Sequence, residues 1–130
     1  MVVDTSALIA VLNGEPESRR VVTAMLSAAR LAISAATLVE ASIVADSKAP
    51  PDGMADLDLL LNELQIEIIP VTREHAELAR TAYRQFGKGR HPAALNFGDC
   101  FSYALARAFG EPLLFVGQDF RQTDIGAAAY

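Results

Sequence analysis

Met1-Val2-Val3-Asp4-Thr5-Ser6 opens the chain: three apolar residues, two of them β-branched, run straight into an acid and two hydroxyl residues. β-Branched residues favour strands, and Asp, Thr and Ser favour the caps and first turns of helices. The stretch predicts a short buried strand passing directly into a helix, with Asp4 at the joint. Three more short apolar runs follow: Leu31–Ser34, Ile66–Pro70 and Leu113–Val116. All four are read as buried strands, and the sequence between successive runs has helical character. Strands alternating with helices make βαβ units and a parallel sheet. The expected fold class is therefore α/β, with helices packed on a central parallel sheet.

Six helices are predicted in the gaps. The first spans Thr5 to Leu12 and ends at Asn13-Gly14; the second has Pro16 in its first turn and runs to about Arg30. The third covers Ala35 to about Ser47 and the fourth Asp56 to Leu64, after the loop Lys48-Ala-Pro-Pro-Asp-Gly53. Thr72 caps the fifth, with Ala76, Ala79, Tyr83 and Phe86 as its apolar stripe and Gly87 as its stop. The sixth starts near Asn96 and ends at Gly110. No repeat, low-complexity tract or linker interrupts the 130 residues, so one domain over 1–130 is expected.

Composition narrows the function classes. The apolar fraction is 52%, enough for a proper core and against disorder. No apolar run approaches the roughly 18 residues of a membrane span, and the first residues lack the basic start of a secretory signal. The lone Cys100 excludes an internal disulfide and fits a reducing cytoplasm. The net charge of −5 argues against indiscriminate nucleic-acid binding. The charge is uneven, however. Residues 73 to 91 hold Arg73, Arg80, Arg84, Lys88 and Arg90 against only Glu74 and Glu77. Arg80, Arg84 and Lys88 recur every fourth residue, as on one helix face. That face is either an ordinary solvated surface or an edge that meets a polyanion.

Four acids stand out against this background: Asp4, Glu40, Asp99 and Asp119. Each adjoins apolar sequence, where an ionised carboxylate is costly without opposite charge or hydrogen bonds. No Lys or Arg lies within four residues of Asp4, Glu40 or Asp99, and Asp119 has only Arg121 nearby. A divalent cation would supply the missing charge, and hard ions such as Mg²⁺ prefer oxygen ligands. Topology gives the acids a common address. In a parallel sheet with crossover helices, helix N-termini lie at the edge where strands end, which is where open α/β folds bind ligands. Asp4 closes the first strand, Asp119 follows the last, Asp99 lies in the first turn of its helix and Glu40 early in another.

Blander roles compete for each residue. Asp4 also suits a helix N-cap, and Thr5 and Ser6 either cap or face a metal-bound water or phosphate. Asp99 three residues after Asn96 fits a capping box, a role compatible with ligation. Asp119 after Gly117 is ordinary turn chemistry. Glu40 has Ala36, Thr37, Ile43 and Val44 as helical neighbours and nothing to neutralise it, which favours function. Cys100 is expected in the core, and His75 and His91 at the surface. Two His and one Cys make the usual zinc set improbable.

The strings Asp4-Thr5-Ser6, Thr37-Leu38-Val39-Glu40, Leu95-Asn96-Phe97-Gly98-Asp99-Cys100 and Gly117-Gln118-Asp119-Phe120 together resemble the PIN-domain ribonucleases. In particular they resemble the VapC toxins of type II toxin–antitoxin systems, over nearly the whole chain. The resemblance implies a three-layer α/β/α sandwich and a metal-dependent endoribonuclease. It implies a pocket holding Mg²⁺ or Mn²⁺, with Asp4 and Asp99 as principal ligands and Glu40 and Asp119 completing it, partly through water. It also implies a homodimer, an RNA substrate and silencing by a cognate VapB-like antitoxin. Thr5, Ser6, Arg80, Arg84, Lys88 and Arg90 are the candidates for holding RNA, and Tyr83, Phe86 or Phe120 for stacking its bases. The competing reading is a catalytically silent PIN fold acting as an RNA-binding or scaffold protein; retention of all four acids argues against it. A phosphatase with Asp4 as nucleophile would carry a second Asp where Ser6 stands, and a receiver domain a Lys after Val116; neither is present.

Overall fold

The computed structural model describes all 130 residues. Four parallel strands, β1 (Val2–Val3), β2 (Ala32–Ser34), β3 (Glu67–Ile69) and β4 (Leu113–Leu114), form one sheet in the order β3-β2-β1-β4. The pairing registers Val2 with Ala32 and Leu113, and Ala32 with Glu67. The helices are α1 (Thr5–Leu12), α2 (Ser18–Ser27), α3 (Ala35–Lys48), α4 (Gly53–Glu63), α5 (Arg73–Phe86) and α6 (Phe97–Phe109). A short 3₁₀ turn over Phe120–Gln122 follows β4.

Alternation along each strand divides the core into two. Val2, Ala32 and Leu113 pack on one side with Ala79 and Ala82 of α5 and Leu105 of α6. Val3, Ile33 and Leu114 pack on the other with Leu8, Val21, Ala41 and Leu57 of α1 to α4. Both faces of the sheet are therefore covered, as a parallel sheet requires, and the layers are those of an α/β/α sandwich. Every residue of β1, β2 and β4 is buried, which explains their unbroken apolar sequence. The outer side of β4 is closed by the later segment: the Leu113 N–H donates to the Gly126 carbonyl and the Ala128 N–H to the Leu113 carbonyl, at 2.8 and 2.9 Å.

Several expectations need correction. The run Ile66–Pro70 is not a buried strand throughout: β3 is an edge strand, with Glu67 and Ile68 exposed and only Ile66 in the core. Pro16 lies in a turn before α2, which starts at Ser18 and ends at Ser27 rather than near Arg30. α4 begins three residues early, at Gly53. His75 is buried at 6% exposure instead of lying at the surface, its ring edge-on to Phe109 with centroids 6.5 Å apart. The inward face of α5 is His75, Ala79 and Ala82, with Phe86 partly buried; Tyr83 points outward at 40% exposure. The apolar stripe is rotated by one residue: His75 and Ala82 face the core in place of Ala76 and Tyr83. No helix is long and apolar enough to cross a membrane.

Leu105 is fully buried between α6 and the sheet, whereas Leu59 on α4 is 60% exposed. Leu105→Ala is expected to lower the unfolding free energy by about 2–5 kcal/mol. Leu59→Ala should change it by under about 0.5 kcal/mol. Urea unfolding of the two variants checks the packing; equal midpoints would contradict it.

Candidate active site

Three local features aim the acids. Asp4 follows β1 without a loop and caps α1: its Oδ2 accepts hydrogen bonds from the Ser6 N–H at 2.9 Å and the Ser6 hydroxyl at 2.7 Å. Ser34 ends β2 and caps α3, so Glu40 falls in the second turn of a helix that leaves the same edge of the sheet. Asn96 and Asp99 form the expected capping box, with bonds of 2.8 and 2.9 Å, and this fixes the Asp99 carboxylate at the start of α6. The sheet order places these helix starts side by side. Asp4, Glu40 and Asp99 accordingly line one cleft of about 390 Å³, together with Thr5, Ser6, Glu15, Lys48 and Asn96.

The approach of α6 to α3 is close. A Cβ at position 98 would meet the Glu40 carboxylate, so any larger residue there would push that side chain aside. Burial and like charges both act on these carboxyls. Burial pushes the Asp99 carboxyl up to about 7; the Asn96 N–H partly offsets this, while Asp4, Glu40 and Asp119 add repulsion. Glu40 is also raised, chiefly by burial, with the Thr5 hydroxyl lowering it and Asp4 raising it. Burial and the neighbouring Asp99 raise the Cys100 thiol to about 11, so it is a packing residue and no nucleophile.

The remaining candidates fall in three places. Asp119 stands apart from the cleft lining: it is exposed on the turn that leads into the 3₁₀ helix, near enough to Asp99 to repel it. Gly117, at φ +113°, lets the chain turn there. Thr5 and Ser6 line the cleft but are not free donors. The Ser6 hydroxyl is committed to Asp4 and also accepts from the Val116 N–H at 3.0 Å, and buried Thr5 donates to the Thr37 carbonyl at 3.5 Å. Arg80, Arg84 and Lys88 lie on the rim of a second cleft, about 730 Å³, between α5 and α6. Arg80 is paired with Glu77 at 3.1 Å, an exposed pair of little energetic weight. Arg84 and Lys88 have no carboxylate partner, and Arg90 sits 5.6 Å from the centre of the Tyr83 ring. Phe97, 79% exposed, leans on Phe101 edge-to-face in the same cleft. Of the proposed stacking residues, Tyr83 is exposed, Phe120 is core and Phe86 is partly buried. Asn96 lines both clefts, so the basic groove and the acidic one are neighbours on either side of it.

Sequence reading missed three participants. Ser102 reaches Asp4 from α6 at 2.6 Å; its spacing of three from Asp99 was a usable signal. Lys48 lies two helical steps of four beyond Glu40, through Val44, on the same face of α3. Glu15 is brought in by the turn after α1, with no signal of its own. The donors in this cleft are carboxylate oxygens, which fits a hard divalent cation. The acids are neighbours and not yet a ligand shell: no three His, Cys, Asp or Glu side chains are gathered closely enough to hold an ion as they stand. Three of their oxygens are also tied, both of Asp4 to Ser6 and Ser102 and one of Asp99 to Asn96.

The raised Asp99 has a defined effect on the metal-free protein. Its folded value of about 7 lies above the ordinary 3.8. Between these values the folded chain keeps a proton that the unfolded chain has released, so this group's contribution to stability falls as pH rises through that window. Thermal unfolding of metal-free protein should therefore show Asp99→Asn gaining relative to the wild type as pH goes from 4 to 8. A difference independent of pH would contradict the assignment.

A family profile described as PIN domain matches residues 1–126. The chain is 46% identical over 127 residues to a protein named ribonuclease VapC from Mycolicibacterium smegmatis, covering 98% of both chains. It is 44% identical over 129 residues to ribonuclease VapC30 of Mycobacterium tuberculosis, covering 99% of this chain and 98% of the relative. Among solved structures it superposes on VapC20 of Mycobacterium tuberculosis, described as a sarcin-ricin loop cleaving toxin. There the TM-score is 0.77 at 17% identity, over 95% of each chain. A toxin–antitoxin complex from Klebsiella pneumoniae gives a TM-score of 0.71 at 19% identity, over 95% of this chain and 92% of the other. At those identities the structures speak for the fold, and the curated relatives speak for the family. The chain belongs to the PIN-domain family, within its VapC ribonuclease group.

Proposed function

We propose that this protein is a divalent-metal-dependent endoribonuclease and the toxin of a type II toxin–antitoxin pair. One observation carries the reading: Asp4, Glu40 and Asp99, brought from three parts of the chain, line one cleft, and Asn96 separates it from a neighbouring basic groove with aromatic walls. The names of the relatives, ribonucleases at 44–46% identity over nearly the whole chain, support the same activity.

Asp4, Glu40 and Asp99 are the proposed ligands of Mg²⁺ or Mn²⁺, with Asp119 joining from its turn through water. When bound, such an ion lowers the pKa of an attacking water and neutralises charge on the phosphoryl oxygens. The chain's residues supply the rest. Asp99 gives up its proton when the cleft takes up cation, so metal affinity rises with pH towards and above 7. Without cation the acids repel the phosphodiester they are to cut. Arg84, Lys88 and Arg90 hold the RNA backbone along the groove, assisted by Arg80, and Lys48 meets it beyond the acids. Tyr83 and Phe97 offer faces for bases. The same groove, apolar between α5 and α6 and basic on its rim, suits a segment of a VapB-like antitoxin, which would then silence the enzyme by occupying it. The reading places the protein in the cytoplasm, and the reduced, buried Cys100 fits that compartment.

Purified protein incubated with total cellular RNA should release discrete fragments in Mg²⁺ or Mn²⁺ and none in EDTA. Asp99→Asn should abolish cleavage. Arg84→Ala with Lys88→Ala should weaken binding and flatten its salt dependence, by roughly 0.7 in log–log slope for each phosphate that is no longer neutralised. Cleavage that survives EDTA or Asp99→Asn would overturn the mechanism. Metal-independent RNA binding without cleavage would favour the silent-scaffold reading.

A further inference from the structure

Six polar or charged residues are buried: Asp4, Thr5, Ser34, Thr37, His75 and Ser102. Ser34 caps α3 and His75 packs on Phe109. The other four are one connected chain. The Ser102 hydroxyl donates to Asp4 Oδ1 at 2.6 Å. The Thr37 hydroxyl lies 3.1 Å from Ser102 Oγ. Because the single Ser102 hydrogen goes to the carboxylate, Thr37 has to be the donor in that second bond. The Thr37 carbonyl in turn receives Thr5 Oγ1 at 3.5 Å. Ser102 and Thr37 are both 0% exposed, one on α6 and the other on α3.

Capping does not require this arrangement. The cap of α1 uses Asp4 Oδ2 alone, bonded to the Ser6 N–H and hydroxyl. Ala at 102 and Val at 37 would pack the same junction of α3 and α6 with no buried hydroxyl to satisfy. The hydroxyl pair acts on the other oxygen, Oδ1, and two oxygens held from opposite sides fix both the tilt and the plane of a carboxylate. Donors that orient metal ligands in this way ordinarily matter nearly as much as the ligands.

We propose that Ser102 and Thr37 are positioning residues, a directional hydroxyl chain that locks the Asp4 carboxylate in the orientation the divalent cation needs. This rests on the proposed function, in which Asp4 is a ligand of that cation. Ser102 acts directly and Thr37 acts through it, by fixing and polarising the Ser102 hydroxyl.

Calorimetric titration of the full chain with Mn²⁺ tests this, with the melting temperature of the metal-free protein measured alongside. Ser102→Ala should weaken Mn²⁺ binding about 10- to 100-fold. Thr37→Val should weaken it less, and Thr37→Ser, which keeps the donor, should restore it. The double variant Ser102→Ala/Thr37→Val should bind no worse than Ser102→Ala alone, since the two act in series. A merely structural pair would lower the melting temperature and leave the Mn²⁺ affinity of the folded protein unchanged; that result overturns the proposal. If Ser102→Ala melts too low for titration, Thr37→Val against Thr37→Ser decides: weaker binding in the first alone supports the chain, and equal binding refutes it. Wild-type protein that binds no Mn²⁺ would instead overturn the metal reading, and this proposal with it.

Discussion

The Asp4 carboxylate, 3% exposed at the end of an interior strand, is the constraint to which the rest of the site conforms. A buried carboxylate has to be met by donors, and here they come from two sides, one of them braced by a third segment. Ser6 bonds it from the next turn, Ser102 from α6, and the Val116 N–H steadies Ser6 from the loop after β4. Those bonds tie α1, α6 and the end of β4 to one point. Because α6 is fixed there, its first turn crosses Glu40, and Asp99 comes to lie opposite Asp4. The geometry of the acids follows from holding one of them.

Bringing acids together is unfavourable, and the fold offsets this only partly. The N-termini of α1 and α6 point positive ends at the cleft, and Lys48 lies at its margin. Asp99 and Glu40 are both raised, chiefly by burial and only secondarily by the neighbouring acids. On the proposed reading, burial and the nearby charges together leave these carboxyls unsatisfied, and a divalent cation would supply the missing positive charge. Beside it, Arg84, Lys88 and Arg90 give an acidic molecule a basic edge suited to a polyanion.

Much of this was legible where the signal is local. The strand-to-cap step at Asp4 and the Asn96–Asp99 capping box depend on residues within four positions of each other, and both formed as read. The parallel order of the strands followed from the apolar runs, and with it the gathering of Asp4, Glu40 and Asp99. What failed depended on tertiary placement. β3 reads like a core strand and lies at the edge because nothing in Glu67-Ile68-Ile69 records how many neighbours a strand has. His75 went inward because it lies four residues before Ala79 on the face that packs on Phe109 and α6, and the same phase turned Tyr83 outward. Asp119 is a different case: it lies outside the cleft lining yet near enough to act on Asp99, a placement set by the turn through Gly117, which has no periodicity to read. Ser102, in contrast, was within reach: it lies three residues from Asp99, on the face that α6 presents to the site.

The central claim is that Asp4, Glu40 and Asp99 together form a divalent-cation site. The most direct measurement is anomalous diffraction from crystals grown with Mn²⁺. The account predicts a Mn²⁺ peak in contact with Asp4 and Asp99 beside Glu40, and its loss in Asp4→Asn crystals. Crystals with the cleft open to solvent and no peak there at millimolar Mn²⁺, or with Mn²⁺ bound only elsewhere, would contradict it.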